Sequence, residues 1–293
     1  MSTGTTVNRF VTAEIYKVIK NGFFAIYKRS GLTSAKELEE LKNSIVEGIN
    51  ADRTVKDQNY LLRAGHGGNL DSMATGVLAV ALCDGCKVLP HLLASSKRYT
   101  VTAQMGVATD TYNNKGKVIA ETGYDHVTRA KLELTLKEFV GEIWQRPPAY
   151  SALKIGGKRA SDIVRLGEEV KLVPRPVICH AAHCVAFDPP FFTLDVSCGQ
   201  GFYIRCLVHD LAEAVGSCGH VTALVRTKHG PFTLQDCLLP EHYSLENVIA
   251  AVEEARRRQP KLAAILDNYW KSHPRDGKRL KPEMDRSRSG RSR

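Results

Sequence analysis

Hydrophobic and polar positions follow two periods along the chain, which predicts a mixture of strands and helices. The segments GFFAIYK (22–28), TGVLAVAL (75–82) and KRYTVTAQMG (97–106) are continuously apolar or alternate every second residue, as strands do. After Ser34, apolar residues instead recur every three or four positions, which predicts an amphipathic helix. Glu37 lies three residues after Ser34, so the pair is expected to form a capping box.

The second half of the chain continues the same mixture. Thr128 is expected to cap a helix, and residues 191–216 join an alternating strand to an amphipathic helix that ends at Gly216. A last helix is predicted from about Ser244 to Arg258. Strands and helices follow one another without a regular βαβ rhythm or an internal repeat, which predicts one α+β domain.

The excess of positive charge is concentrated near the C-terminus. The net charge is +10, and residues 271–293 alone hold nine Lys or Arg against three Asp or Glu. Such a segment favours nucleic-acid binding or a nuclear address, although a merely solvated segment has the same composition. We expect an N-terminal extension over 1–20, one domain over 21–255, and a basic, disordered tail over 256–293.

Composition excludes several other classes of protein. Hydrophobic residues make up 43% and charged residues 25%, an ordinary globular balance. No apolar run reaches the roughly 18 residues of a membrane span, so no membrane partner is expected. The N-terminus lacks a basic start followed by an apolar block, so no secretory signal is predicted. A mitochondrial presequence stays an alternative, although Glu14 and the scarcity of arginine argue against it.

The eight cysteines are expected to be reduced thiols with structural roles. CDGC (83–86) and CHAAHC (179–184) could each suggest zinc. The second motif lies in a β-like stretch whose neighbours alternate faces, so its four side chains would not converge on one ion. No second Cys-x-x-Cys completes a four-cysteine site, and a metal site is therefore the weaker alternative.

GHGGNLDS, residues 65–72, is unlike ordinary structure, because it places Asp71 in a glycine-rich turn directly before an apolar run. A carboxylate there is costly unless it is paired or functional. Turn formation alone would also explain the Asp, Asn and Gly content. Other segments combine basic with aromatic residues, namely SSKRYTVTAQMG, RPPAYSALKIGGKR and GQGFYIRCLVHDL, the last placing Tyr203 and Arg205 in an extended stretch.

These segments together resemble the TruB family of pseudouridine synthases, which isomerise uridine 55 in the T-arm of tRNA. The family's Gly-His-x-Gly-x-Leu-Asp block is matched at 65–71, and its Lys-Arg-Tyr strand at 97–99. Its Thr-Asp-Thr is matched at 109–111, its Pro-Pro-x-Tyr-Ser-Ala-Leu-Lys at 147–154 and its Gly-x-Tyr-Ile-Arg at 201–205. Five motifs in family order make the resemblance specific, and it is to the eukaryotic cellular type without a PUA domain.

The resemblance implies the catalytic residues. Asp71 matches the family's catalytic carboxylate, which acts as a nucleophile or a base toward a uridine flipped out of its stack. Arg205, expected on a distant strand, matches the arginine that pairs with this aspartate and fixes its direction. Tyr99 matches the aromatic residue that stacks on the base and takes part in the later proton removal at C5. The glycines beside Asp71 are expected to let the backbone pass close to the flipped nucleotide.

The resemblance also implies the substrate-binding residues and the fold. Tyr203 and Leu224 match residues that line the uracil pocket, His66 matches the histidine that enters the T-loop, and Lys154 is expected to bind substrate RNA. The family uses no metal and no other cofactor. Its fold is a long mixed, mainly antiparallel sheet flanked by helices and loops, with a central active-site cleft, here over the domain at 21–255.

The implied function is the isomerisation of uridine to pseudouridine in RNA, chiefly in the tRNA T-arm and also in T-arm-like stem-loops of messenger RNA. We expect a monomer in the nucleus and cytoplasm, with the mitochondrion left open. Two alternatives remain. One is a non-catalytic RNA-binding or RNA-folding protein on the same fold. The more remote one is a zinc-dependent deaminase, which lacks its His-x-Glu motif because two glycines follow His66.

Overall fold

The computed structural model describes residues 14–51 and 62–272. The strands are β1 (Phe23–Lys28), β2 (Ala64–His66), β3 (Thr75–Leu82), β4 (Lys97–Met105), β5 (Val107–Thr109), β6 (Val118–Glu121), β7 (Gly141–Gln145), β8 (Lys154–Ile155), β9 (Lys158–Arg159), β10 (Arg175–Asp188), β11 (Phe191–Cys198), β12 (Gly219–His229), β13 (Phe232–Thr233) and β14 (Cys237–Leu238). The helices are α1 (14–20), α2 (Ser34–Ala51), α3 (Leu89–Ala94), α4 (Arg129–Leu136), α5 (Ala160–Arg165), α6 (Ile204–Ala214), α7 (Leu245–Arg258) and α8 (Pro260–Ser272). Among these described helices, none is long and apolar enough to cross a membrane.

One ten-stranded sheet forms the centre of the protein. Its strands run in the order β14-β1-β3-β12-β4-β11-β10-β7, with β2 beside β3 and β13 beside β12. Only the pairs β1–β14 and β3–β12 are parallel among the pairs described in this sheet. The predicted mixed, mainly antiparallel sheet is therefore confirmed, as are the strands predicted at 22–28, 75–82 and 97–106, which are β1, β3 and β4.

Two hydrophobic cores cover different halves of the sheet. The first core contains buried residues of α2, α7, α8, β1 and β3, whereas the second contains buried residues of α4, α6, β4, β11 and β12. Every residue of β3 after Thr75 is buried, which explains its continuous apolar sequence. The loop between β2 and β3 contributes Leu70 and Met73 to the second core, while β3 itself belongs to the first. Asp71 therefore lies where the two cores meet.

The predicted starts of three helices are confirmed, and one predicted cap is wrong. Thr128 and Ser244 cap α4 and α7, each accepting a backbone N–H three residues on at 3.2 Å. The capping box at Ser34 is wrong, because Thr33 accepts the cap hydrogen bond from the N–H of Lys36 at 3.2 Å. The Ser34 hydroxyl and the Glu37 carboxylate are engaged in contacts with distant residues instead.

The predicted disordered tail is wrong for residues 256–272. Helix α7 continues to Arg258, and α8 follows at once with Pro260 as its first residue, a position that suits proline. Ala263 and Leu266 of α8 are buried in the first core. Helix α1 also packs there through Ile19, so the domain begins before residue 21. The rest of the predicted tail, 273–293, and the start of the N-terminal extension lie outside the described residues.

Candidate active site

Asp71 lies in the loop between β2 and β3, and the glycines around this loop fit close protein contacts. A side chain at Gly67 would approach the Cβ of Leu92 to 2.7 Å. Gly76 has φ +107°, and a side chain there would collide with the backbone carbonyl of Arg226. These two glycines are therefore required by the packing of the protein on itself. The expected role of the glycines beside Asp71, which is to let the backbone pass close to a flipped nucleotide, stays a prediction.

Two buried cations and one hydroxyl hold the Asp71 loop in place, and sequence reasoning missed all three. Arg226, 1% exposed, donates to the carbonyls of Gly68 (3.3 Å), Asn69 (3.1 Å) and Val77 (2.7 Å). These carbonyls lie on both sides of Asp71 in the sequence. A buried guanidinium that satisfies three carbonyls fixes the loop at both ends.

Lys28 and Ser34 hold the middle of the same loop. Lys28 Nζ donates to the carbonyls of Ala74 (2.7 Å), Ser72 (3.3 Å) and Arg29 (2.8 Å). The Ser34 hydroxyl accepts the N–H of Leu70 at 2.9 Å and faces its carbonyl at 3.2 Å. The loop therefore has few free backbone groups, and its shape is set by side chains from β1, α2 and β12.

Burial of Lys28 is expected to make the free energy of unfolding depend on pH in the alkaline range. Burial lowers the pKa of Lys28 from 10.5 to about 8, although Glu37 and Asp71 oppose the shift. Between pH 8 and 10.5 the unfolded state then binds more protons at Lys28 than the folded state, so this residue's contribution to stability rises with pH. From pH 7 to 9.5, the free energy of unfolding of wild type minus that of Lys28→Met should rise by roughly 2 kcal/mol. Urea unfolding of both proteins at pH 7 and pH 9.5 measures this difference. A difference that does not change with pH would contradict the lowered pKa of Lys28.

Asp71 and Arg205 form a two-point ion pair. Arg205 Nε donates to Asp71 Oδ2 at 2.7 Å, and Nη2 faces Oδ1 at 3.2 Å. The Arg205 side chain is 4% exposed and that of Asp71 is 33% exposed. The guanidinium is thus fully enclosed, while part of the carboxylate stays open to solvent. This arrangement leaves one side of the carboxylate free to meet a substrate.

Arg205 lies in the first turn of α6 and not on an extended strand, so that prediction is wrong. Its remaining hydrogen bonds go to two backbone carbonyls: Nη1 donates to Thr111 at 2.9 Å and Nη2 to Tyr150 at 3.0 Å. Three loops therefore converge on one guanidinium. These loops contain the motifs at 65–71, 109–111 and 147–154. The contact of all three with Arg205 could not be predicted from any one of these motifs.

Tyr99 lies on β4, directly opposite Arg226 of β12, and is 9% exposed. Burial raises the pKa of the Tyr99 phenol, and the nearby Arg226 guanidinium opposes that rise. The Asp71 carboxylate adds to the rise, so phenol and carboxylate lie within electrostatic range of each other. Tyr99 is therefore a protonated phenol at neutral pH, with a neighbouring cation that would stabilise its anion.

Tyr203 and Leu224 reach the same region from α6 and β12. Tyr203 precedes the first residue of α6, and burial raises the pKa of its phenol. Gln145, 2% exposed, accepts the Tyr203 N–H at 2.7 Å and donates to its carbonyl at 3.0 Å. Gln145 is thus a further supporting residue that sequence reasoning missed. Leu224 is 5% exposed opposite Val101 of β4, two residues along the strand from Tyr99.

His66 and Lys154 are placed differently from one another. His66 lies on β2, and burial lowers the pKa of its imidazole, with Arg226 and Arg159 adding to the effect. Its Nδ1 is buried and has no partner among the described residues. Lys154 is exposed on β8, which pairs only with β9 in a separate two-stranded sheet. The structure therefore does not bring Lys154 into the buried group around Asp71.

The cysteines are free thiols, and Cys198 and Cys206 lie near the Asp71 group. All eight cysteines are free, and five are buried. Burial raises the pKa of Cys198, Cys206 and Cys237 to about 12, so these thiols stay protonated. Cys206 follows Arg205 on α6, and Cys198 lies within electrostatic range of Tyr99. A cavity of about 680 Å³ opens between α4 and β10, and no residue that lines it belongs to the Asp71 group.

Comparison with known proteins decides the family. A model of the TruB family pseudouridylate synthase N-terminal domain matches residues 53–204. The chain belongs to the TruB family. A model of the tRNA pseudouridylate synthase B C-terminal domain matches residues 205–270, which include α7 and all but the last two residues of α8. The TruB resemblance drawn from the five motifs is therefore confirmed.

Relatives and solved structures agree with this membership. The TruB chain is 43% identical to pseudouridylate synthase TRUB1 of Homo sapiens over 249 residues, 84% of this chain and 71% of that protein. It is 44% identical to tRNA pseudouridine synthase B of Corynebacterium diphtheriae over 186 residues, 61% of this chain and 62% of that protein. Its fold is similar to a chain of a Cbf5-Nop10-Gar1 complex, with TM-score 0.56 and 26% identity, covering 77% of this chain and 54% of that one.

Proposed function

We propose that this TruB protein converts uridine to pseudouridine in RNA, chiefly at position 55 in the T-arm of tRNA. The observation that carries the proposal is the partly open Asp71 carboxylate, aimed by the enclosed Arg205 guanidinium through contacts of 2.7 and 3.2 Å. A carboxylate held in this way suits attack on, or proton removal from, a nucleotide that has left its stack. Family membership supports uridine isomerisation as the reaction.

The reaction balances without an oxidant, a reductant or a nucleotide cofactor. The bond between the sugar C1′ and N1 of uracil breaks, the base turns, and a bond forms between C1′ and C5. C5 loses one proton and N1 gains one, so the product is an isomer of the substrate. Asp71 acts at the sugar as nucleophile or base, Tyr99 and Leu224 hold the base, and the Tyr99 hydroxyl takes part in removing the C5 proton.

The test is pseudouridine mapping on a T-arm stem-loop incubated with purified protein and EDTA, without any added cofactor. We expect one pseudouridine at the position equivalent to 55. A matched stem-loop with cytidine at that position is the control. Tight binding of the T-arm without any pseudouridine would overturn the proposal and favour the RNA-binding or RNA-folding alternative.

We further propose that messenger RNA stem-loops shaped like the T-arm are substrates, in the nucleus and the cytoplasm. The reasoning is that a pocket that takes one flipped base reads local loop structure more than distant sequence. Hairpins with the T-loop sequence should react, whereas hairpins with the same stem and a scrambled loop should not. Equal reaction of both hairpins would contradict loop recognition. Size-exclusion chromatography with light scattering tests the expected monomer.

Tyr99→Phe should separate stacking from proton transfer. The ring that stacks is kept, so the affinity for T-arm RNA should stay within about twofold of wild type. The rate of isomerisation should fall roughly 10²-fold, because a positioned proton-transfer group contributes on that order. Single-turnover kinetics at saturating protein measure the rate. Tyr99→Ala is the control that should impair both quantities, and a Phe variant as fast as wild type would leave only the stacking role.

Removing residues 273–293 should weaken RNA binding without slowing catalysis. This segment holds eight Lys or Arg against three Asp or Glu, and charge-driven binding depends on salt. The truncation keeps α8, whose Leu266 is part of the core. We expect a shallower dependence of affinity on salt concentration and an unchanged single-turnover rate at saturating protein. A collapsed rate in a normally folded truncation would contradict this division of roles.

A further inference from the structure

Tyr112 has an unusual backbone beside the candidate active site. It lies in the turn between β5 and β6 with φ +59°, a left-handed conformation that bulky side chains rarely adopt. Among the described residues other than glycine, only Cys83 shares a positive φ. Such a conformation persists only where its surroundings hold it, and it is common where function needs a fixed geometry.

Contacts from two other elements hold Tyr112 in this conformation. Its ring stacks on the imidazole of His209 of α6, with ring centres 4.0 Å apart and planes inclined by 12°. Its carbonyl accepts the N–H of Val221 of β12 at 3.0 Å, and its own N–H donates to Thr109 at 3.1 Å. The residue is therefore clamped through its side chain and both backbone groups.

The stacking partner is itself positioned by α6. His209 Nε2 lies 3.4 Å from the Glu213 carboxylate, one turn further along the helix. Its Nδ1 is buried and finds no hydrogen-bond partner in the described part of the chain. The contact with Glu213 is thus the one polar contact described for the His209 ring. The Tyr112 ring, packed against the face of the imidazole, restrains the tilt of the imidazole.

The clamp on Tyr112 fixes the carbonyl before it. That carbonyl belongs to Thr111 and accepts a hydrogen bond from Arg205 Nη1 at 2.9 Å. Arg205 lies four residues before His209 on the same helix, so the two side chains leave one face of α6. Helix α6 and the turn therefore hold each other at two points. His209 of α6 packs on Tyr112 of the turn, and the Thr111 carbonyl of the turn accepts a hydrogen bond from Arg205 of α6.

We propose that Tyr112 and His209 are positioning residues for the Arg205–Asp71 pair, an inference that rests on the proposed function. Arg205 contacts Asp71 through Nε and Nη2, and the Thr111 carbonyl engages the remaining nitrogen, Nη1. With Nη1 held, the guanidinium plane does not rotate, and the carboxylate keeps its aim. A small misplacement of a reacting group costs a large factor in rate.

The experiment removes the stack and then restores it without the polar atoms. Tyr112→Ala and His209→Ala should each lower the single-turnover rate roughly tenfold at saturating protein, with T-arm affinity within about twofold of wild type. Tyr112→Phe and His209→Phe keep two stacked rings and should stay within about threefold of the wild-type rate. Val118→Ala is the matched control, since Val118 is 57% exposed in the same hairpin.

A spectroscopic measurement reports on Arg205 itself. The Arg205 Nε–H donates to Asp71, so its signal in ¹⁵N-labelled protein should exchange slowly with water. Exchange should become faster in the two alanine variants and stay slow in the two phenylalanine variants. If an alanine variant fails to fold, Tyr112→Leu or His209→Leu fills the space without a stacking face, and the same result is expected.

Three outcomes would overturn the proposal. They are full rate in the alanine variants, an equal loss of rate in the phenylalanine variants, or weaker RNA binding at an unchanged saturating rate. The last would show that the two rings contact RNA. If wild type forms no pseudouridine, the proposed function fails, whereas Nε–H exchange still tests the positioning role without any substrate.

Discussion

Asp71→Asn is expected to give a folded protein that binds T-arm RNA normally and forms no pseudouridine. Asparagine keeps the size of the side chain and one oxygen that can accept from Arg205, so the loop held by Arg226, Lys28 and Ser34 should keep its shape. The substitution removes the negative charge and the nucleophile. Loss of a group at the centre of the chemistry costs on the order of 10⁴-fold in rate or more.

The measurement is a single-turnover assay on a T-arm stem-loop with protein in excess, together with a binding isotherm on the same RNA. Ser72→Ala is the matched control, because Ser72 is the next residue in the loop and engages Lys28 through its backbone carbonyl only. It should keep both rate and affinity. Turnover by an Asp71→Asn preparation free of wild-type protein would refute the catalytic assignment and leave Asp71 as a turn residue.

Arg205→Met should impair stability as well as rate. The Arg205 side chain is 4% exposed, and its removal leaves the Asp71 carboxylate and the carbonyls of Thr111 and Tyr150 without their donor. Breaking an enclosed ion pair from one side costs about 3 kcal/mol in the free energy of unfolding. The single-turnover rate should fall by a factor of at least ~10², because the carboxylate loses its aim.

Urea unfolding monitored by circular dichroism measures the first effect, and the saturating single-turnover rate measures the second. Arg98→Met is the matched control: Arg98 also pairs with an aspartate, Asp195, at 2.7 Å, but its side chain is 56% exposed. An exposed pair contributes at most about 1 kcal/mol, so this control should unfold almost like wild type. Equal destabilisation by the two substitutions would contradict the enclosed, structural character of Arg205.

The prediction that Arg205 lies on an extended strand is wrong because of a tertiary contact. Tyr203 and Ile204 favour extended structure, and a strand was expected to continue through Arg205. In the folded chain, Gln145 satisfies both the N–H and the carbonyl of Tyr203. Tyr203 therefore needs no strand partner, and α6 begins at Ile204. A glutamine 58 residues away supplies that contact, and no local pattern reveals it.

The tail prediction failed for a different reason. Pro260 and the apolar spacing of Leu262, Ile265 and Leu266 are a helix signal present in the sequence. Charged residues on both sides of this segment make it resemble a solvated tail. An isolated helix of this length is marginally stable, so α8 depends on packing against the first core. The roles of Lys28 and Arg226 in holding the Asp71 loop could not be predicted, because in the sequence both look like ordinary residues of a strand.

The α+β class, the central strands, the family and the candidates Asp71, Arg205 and Tyr99 could all be predicted from the amino-acid sequence. Hydrophobic period and local motifs encode these features, because each depends on neighbours within a few residues. Three features could not be predicted in this way: Arg205 joins three loops, buried cations hold the Asp71 loop, and Tyr112 stacks on His209. These depend on contacts between residues 44 to 158 positions apart in several cases, and such contacts exist only once the sheet has brought its strands together.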